Sequence, residues 1–420
     1  MGNSMTTIGE IAEIFDGPHA TPHKTETGPY FLSISSLKKG RLDLSKSAHL
    51  SEADFKKWTK RVTPKKGDLL FSYETRLGEA ALMPDGIGAC LGRRMGLLRP
   101  KKDKVIPEYL LYAYLSPAFQ QTIIANTIRG ATVLRLALNE FPDFSIRIPC
   151  IEEQKKVASL LQVIDAKIAC NNRINAELDA MAKTLYDYWF VQFDFPDANG
   201  RPYKSSGGKM VYNPTLKREI PVGWKIEPLL ESCQVTDCLH SRKSEYSFES
   251  EDAYLLQLQN ILDNGQINLS KKYFVSKEDY KVWTSRIELK QHDIVMTNAG
   301  RVAAFAQIPA NVICGIGRNI TAIRPHDINP NFFFLSLSGL HIQSQILANL
   351  DQGAFFKSFN VKGIKLLNLL RPQPNLESVF EKKVAAVINK RHVLVAENAE
   401  LAKLRDWLLP MLMNGQVTVA

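Results

Sequence analysis

The stretch Gly92–Pro100 reads GRRMGLLRP, and Gly317–Pro325 reads GRNITAIRP. They lie 225 residues apart, and the same offset runs back without a gap to Gly40 and Gly265. Leu44-Ser45-Lys46 falls on Leu269-Ser270-Lys271, and Asp54, Trp58, Thr59 and Arg61 fall on Asp279, Trp283, Thr284 and Arg286. Asp68 meets Asp293, Arg76 meets Arg301 and Pro84 meets Pro309. Past Pro100 the offset becomes 223: Pro107 meets Pro330, Pro149 meets Pro372, and Asn175-Ala176-Glu177-Leu178 meets Asn398-Ala399-Glu400-Leu401. A match sustained at one period means one structural unit used twice.

Inside each unit the apolar runs at Asp68–Tyr73 and Asp293–Thr297 are short and bounded by turn residues, so they predict strands. Ser51–Lys60 and Ser276–Ser285 open on a serine that can cap a helix, and predict short helices. Pro107–Asn126 and Pro330–Asn349 open on proline with helical spacing and predict one helical segment each. Two segments differ from everything else. Residues 151–190 and 376–413 carry apolar groups three to four apart over about 38 residues, which at 1.5 Å per residue is about 57 Å of helix. A helix that long cannot bury its stripe on a small domain, so the two are expected to pair as an antiparallel coiled coil. Asn171, Asn175 and Asn398 interrupt the stripes, where buried asparagines can fix register.

The expected organisation is thus α+β: two α/β units, residues 1–150 and 224–374, each followed by a long helix, 151–193 and 375–415. Residues 194–223, rich in Pro, Gly, Lys and Ser, are expected as a linker. A chain of 420 residues fits two domains. No apolar run reaches the roughly 18 residues of a membrane span, so a cytoplasmic location and no membrane partner are expected. Gly2 and Thr6 fit only a loose lipidation pattern.

The formal charge of +10 suggests a polyanionic partner. The six cysteines form no CxxC pair, and Cys233, Cys238 and His240 lack a fourth ligand, so neither a disulfide framework nor a zinc site is implied. No phosphate loop, HExxH or GxSxG is present. Pro142-Asp143 with Glu153 and Lys155 imitates a nuclease cluster, but the second half keeps neither carboxylate at the equivalent places.

Arginines outside the helices are the best candidates for reading a nucleic acid, since arginine can pair both acceptors of guanine and glutamine both positions of adenine. In the first half the candidates are Tyr73, Arg76, Arg93, Arg94, Arg129 and Thr132; in the second they are Asn298, Arg301, Arg318, Gln352 and Lys357. Lys38, Lys39, Lys271 and Lys272 are assigned to phosphates. The repeated Trp58/Trp283 and Arg61/Arg286 read as packing and ion-pair residues. Residues that read sequence should differ between halves.

Several phrases together resemble the specificity subunit of type I restriction-modification systems over nearly the whole chain. They are Ile148-Pro149 with Glu153-Gln154-Lys155, Trp189-Phe190-Val191-Gln192-Phe193, Glu219-Ile220-Pro221-Val222-Gly223-Trp224 and Leu408-Leu409-Pro410-Met411-Leu412-Met413-Asn414-Gly415. The second long helix departs from the pattern, with Asn375-Leu376-Glu377-Ser378 in place of the Glu-Gln pair. The resemblance implies two target-recognition domains that each read half of a split double-stranded DNA target, with no catalytic centre in this chain. It implies helices that space the readers and dock methyltransferase (M) subunits, which would carry S-adenosylmethionine. It also implies restriction (R) subunits, which would use ATP and Mg²⁺. Competing with it are a sequence-neutral basic DNA-binding scaffold, a protein-only interaction scaffold, and a nuclease built on Asp143, Glu153 and Lys155.

Overall fold

The computed structural model describes residues 5–18, 20–128, 133–239, 244–248, 252–299, 301–352, 357–359 and 361–419, the side chains of 351, 352 and 357 excepted. The chain forms two compact units. The first comprises residues 1–169 with 400–420, and the second residues 170–399.

In the first unit an antiparallel sheet has the order Ala12–Asp16, Met95–Pro100, Leu69–Ser72, Ala80–Leu82. A smaller sheet orders Ala48–His49, Thr25–Phe31 and Ala89–Cys90, the last pair parallel. The second unit repeats both: Cys233–Asp237, Ile320–Pro325, Ile294–Thr297, Phe305–Gln307 in one sheet, and Tyr273–Phe274, Tyr254–Leu256, Gly315–Ile316 in the other. The central strands are buried on both faces, because the small sheet covers one side and helices the other. The short helices form as expected, Glu52–Trp58 and Lys277–Trp283, with the Ser51 and Ser276 hydroxyls accepting from Asp54 N and Asp279 N at 3.1 Å.

The segment expected as one helix from Pro107 is two, Pro107–Leu115 and Pro117–Ala125. Pro117 drives Ser116 out of the helical region, to φ −64°, ψ 146°, and the Ser116 hydroxyl caps the new helix. The second half breaks likewise, into Pro330–Ser338 and Leu340–Ala348, at Gly339. Residues 194–223, expected as a linker, carry an antiparallel hairpin, Met210–Asn213 with Arg218–Pro221. It sits beside an aromatic cluster in which Phe195 stacks on Tyr203 at 4.6 Å and on Trp224 at 5.5 Å.

The long helices run Ile151–Tyr186, continued by a π-helical turn Asp187–Val191, and Pro374–Met413. Each unit holds a stretch of both, running antiparallel. In the first unit Val157, Ala158 and Leu161 pack in the same core as Leu412 and Met413, and Asp165 pairs with Arg405 at 2.8 Å. In the second, Asn171 is fully buried and its Nδ2 donates to Glu397 Oε2 at 2.8 Å and Asn398 Oδ1 at 3.0 Å. Asp179 there pairs with Arg391 at 2.6 Å. Apolar stripes with polar ties at fixed places are what holds a helix pair in one register.

The departure at the start of the second long helix has a structural answer. Buried Gln154 accepts from Ile106 N through Oε1 at 2.9 Å, holding the start of the helix at Pro107. Glu377 stands at the equivalent position and accepts from Asn329 N at 2.6 Å, before Pro330. The added charge is met by Arg371, 3.1 Å from Glu377 Oε2. Among the described residues no helix is long and apolar enough to cross a membrane.

Candidate nucleic-acid interface

Strand Leu69–Ser72 ends at Tyr73, and that end is held from two sides. Tyr73 N donates to Arg94 O at 3.1 Å, and Tyr73 O accepts from Leu136 N at 2.9 Å. Thr75 N donates to Leu134 O at 3.0 Å. Three segments therefore meet: the strand end, the turn at Arg93-Arg94, and the hairpin Thr127–Ile128 with Arg135–Leu136. Arg94 and Thr75 take left-handed backbone, φ 68° and 69°. Gly92 is obligatory beside them, since a Cβ there would lie 1.8 Å from Leu32 O. The Arg94 guanidinium pairs with Glu74 at 2.7 Å and reaches Thr75 Oγ1 at 3.3 Å.

The second unit builds the same junction. Asn298 N donates to Asn319 O at 2.8 Å, and Phe359 N to Asn298 O at 2.9 Å. Asn319 is left-handed, φ 61°, and a Cβ on Gly317 would lie 2.4 Å from Leu256 O. The hairpin is Asp351–Gln352 with Lys357–Ser358.

Of the residues singled out in the sequence, the junctions bring together Tyr73, Arg93 and Arg94 in the first unit. In the second they bring together Asn298, Arg318 and the backbone of Gln352 and Lys357. Arg93 and Arg318 are exposed. Arg129 and Thr132 lie outside the described residues. Arg76 is turned to other work: it donates to Ile34 O at 3.0 Å and pairs with Glu79 at 3.2 Å. Arg301 matches it, bonded to Leu258 O and Ile261 O and paired with Asp263 at 3.0 Å. Lys39 N donates to Glu79 Oε2 at 2.6 Å, and the Lys38 and Lys39 side chains are exposed. Lys271 and Lys272 are exposed beside strand Tyr273–Phe274, the Lys272 ammonium 4.5 Å above the Tyr254 ring.

Sequence reasoning missed Glu74, Asn319 and a pair of carboxylates, Asp16 and Asp237. The Asp16 carboxylate bonds to Arg61, and Asp237 Oδ1 accepts from Asn298 Nδ2 at 3.4 Å. Burial, helped by Asp16 and Glu74, raises the Tyr73 phenol above its ordinary value. Tyr73 Oη and Asn298 Oδ1, at equivalent places, are buried without a hydrogen-bond partner among the described residues.

The imitation of a nuclease cluster is dispersed into ion pairs. Glu153 is bonded to Arg147 at 3.2 Å and Lys155 to Glu152 at 2.9 Å, while Asp143 ends a 3-10 turn. Cys233 and Cys238 are buried, burial pushing the Cys233 thiol up to about 12, and His240 lies outside the described residues.

Residues 2–180 match the family described as Type I restriction modification DNA specificity domain. The resemblance to type I specificity subunits read from the sequence is thus met by a family match over the first unit and the start of the long helix. The chain is 23% identical over 382 residues to the type I restriction enzyme MjaIX specificity subunit of Methanocaldococcus jannaschii, covering 88% of this chain and 82% of that one. The HindI specificity subunit of Haemophilus influenzae is 23% identical over 408 residues, covering 84% and 87%. The S subunit of a type I restriction-modification system from M. genitalium shares the fold, with TM-score 0.55 and 14% identity over 97% of this chain and 95% of that one. The second unit lies outside the matched residues but has the first unit's sheet orders and junction, so the fold is present twice.

Proposed function

We propose that this chain is the non-catalytic, sequence-reading subunit of a type I restriction-modification complex. Each unit reads one half of a split double-stranded DNA target through its three-segment junction. The long helices dock methyltransferase subunits, which bring S-adenosylmethionine and methylate adenine. Restriction subunits, with ATP and Mg²⁺, join the same complex, and the assembly works on DNA in the cytoplasm.

The observation that carries this reading is a repeated frame with an altered mouth. Asp68, Arg99 and Gly92-Arg93 recur as Asp293, Arg324 and Gly317-Arg318. At the strand end and the turn, Tyr73 becomes Asn298 and Arg94 becomes Asn319. A scaffold needs its framework kept, while two readers of different half-sites need different side chains at the same place. The test is modification-detecting sequencing of a host genome carrying the neighbouring methyltransferase gene, with and without this chain. Methyladenine in one split motif, lost with the chain, is expected. Exchange of residues 1–150 with those of a relative should then alter one half of the motif alone. An unchanged methylome, with binding that depends on salt and not on sequence, would replace this reading by the basic scaffold.

A further inference from the structure

We propose that Glu74 is the positioning residue of a guanine reader: it turns Arg94 toward one base of the half-site met by the first unit and keeps it off the phosphates. The inference rests on the DNA-reading function above. Glu74 Oε2 stands 2.7 Å from Arg94 Nε, and Arg94 Nη1 is 3.3 Å from Thr75 Oγ1. No hydrogen bond among the described residues takes up Nη2. A guanidinium is a rigid planar fork of donors. With a carboxylate at Nε, the edge left to face a ligand is the far one, Nη1 beside Nη2. Two parallel donors there match O6 and N7 of guanine.

Both partners stand on fixed backbone. Glu74 O accepts from Ser72 Oγ and from Arg76 N, each at 2.8 Å, and Arg94 O accepts from Tyr73 N at 3.1 Å. A half-buried arginine held in this way gives up less freedom on binding than a free one. Charge then decides between base and phosphate. The carboxylate neutralises Arg94, which makes it a poor counterion for a phosphate while its outer donors stay available to a base. Arg93, beside it in the chain, is exposed and has no ion-pair partner among the described residues. Nor does the Glu74–Arg94 pair belong to the repeated frame. The Asp68–Arg99 pair recurs as Asp293–Arg324, whereas Glu74, Thr75 and Arg94 give way together to Ala299, Gly300 and Asn319. The carboxylate is present where the arginine is and goes with it.

The experiment uses the full chain assembled with its methyltransferase, and duplexes carrying the methylated motif. In these, 7-deazaguanine, which lacks the N7 acceptor, replaces each guanine of the first half-site in turn. The wild type should lose about tenfold in affinity at one position. Glu74→Ala should erase that penalty, flatten the preference for guanine there, and steepen the salt slope by about one as Arg94 turns to a phosphate. Preference in the second half-site should stay. Glu74→Gln keeps an oxygen for Nε and drops the charge, so it should keep part of the penalty and still steepen the slope. An undiminished penalty in Glu74→Ala overturns the inference and leaves DNA reading intact. So does a loss spread evenly over both half-sites with a lowered unfolding midpoint, which makes the pair a structural tie. A first half-site without a guanine that matters to the wild type overturns it as well. If Glu74→Ala does not assemble, Glu74→Gln decides by its salt slope, and an unchanged slope overturns the inference. A wild-type complex without preference for the motif duplex overturns the DNA-reading proposal and this inference together.

Discussion

Arg324 grips Asp293 at two points, Nε to Oδ1 at 2.8 Å and Nη2 to Oδ2 at 2.6 Å, and spans on to Glu288 O at 2.7 Å. Arg99 does the same to Asp68, at 3.0 and 2.7 Å, and to Thr63 O at 3.0 Å. Each carboxylate also accepts from a turn amide, Lys290 N or Lys65 N. The clasp ties the turn before the central strand to the far end of its neighbour, and its repetition marks it as frame. Arg324→Leu leaves a carboxylate with 2% side-chain exposure without its counter-charge. The expected cost is about 3 kcal/mol, at the low end for such losses because Arg324 keeps 27% exposure. Arg324→Lys should recover little, lacking the fork. Urea unfolding of the three proteins checks it; equal midpoints would remove the clasp from the frame.

In the helix pair of the second unit the sign of an effect can be tested as well as its size. Arg391 is almost fully buried against Asp179, with Phe334 5.9 Å away. Asp179→Ala strands a buried guanidinium and should cost about 3–5 kcal/mol. Asp179→Ala with Arg391→Met should be the more stable of the two, because removing both charges removes the desolvation penalty and Met keeps the apolar stem. A double variant no better than the single would mean that packing, not charge, holds this contact.

The repeat was legible because 225 residues separate so many identical positions, and the helices because their stripes run for 36 and 40 residues. The break at Ser116 was hidden by helical spacing on both sides, though Pro117 was its signal. The hairpin within residues 194–223 was not legible because turn-forming composition masked the spaced aromatics Phe195 and Tyr203, which cluster with Trp224 just beyond. Asp16 and Asp237 escaped because they are 221 apart, outside the offset that aligns the rest. Arg76 and Arg301 looked like readers on sequence, but loop carbonyls and carboxylates engage their guanidinium groups. Sequence shows where a charge stands in the chain, and only packing shows what it faces.

His392 carries a pH signature. Burial, with the charge of Arg391 and then His292 nearby, pulls its imidazole down to about 4 from 6.5. The unfolded chain therefore binds a proton that the folded chain refuses between those values. The contribution to stability is whole above 6.5 and is lost as pH falls toward 4, by roughly 3 kcal/mol at most for a shift of that size. Glu381, its carboxyl raised by burial, acts in the opposite sense on acidification. The check is the difference between wild type and His392→Gln, measured by unfolding across that range. Arg391→Met should move the His392 titration, followed by NMR, back toward 6.5. A His392 that titrates at its ordinary value would contradict the burial of this face.

Under the proposed function, the Gly-Arg turns would separate contacts to phosphate from contacts to bases. Arg93 and Arg318 are the same residue in the same exposed place of the two units, so under the proposed function they would serve what both half-sites share, the backbone. Arg93→Ala or Arg318→Ala should weaken binding evenly across sequences and lower the salt slope by about one, leaving the motif unchanged. The next residue differs, Arg94 in one turn and Asn319 in the other. Arginine suits the two acceptors of guanine, and asparagine the donor and acceptor of adenine, with about 1–3 kcal/mol of discrimination in a good pair. Asn319→Arg should therefore change one position in one half of the methylated motif from adenine toward guanine. Arg94→Asn should act on the other half alone, once its pairing with Glu74 is released. Modification-detecting sequencing of hosts carrying each variant reads the result directly. A motif altered by Arg318→Ala and untouched by Asn319→Arg would invert the assignment and make the repeated arginine the reader.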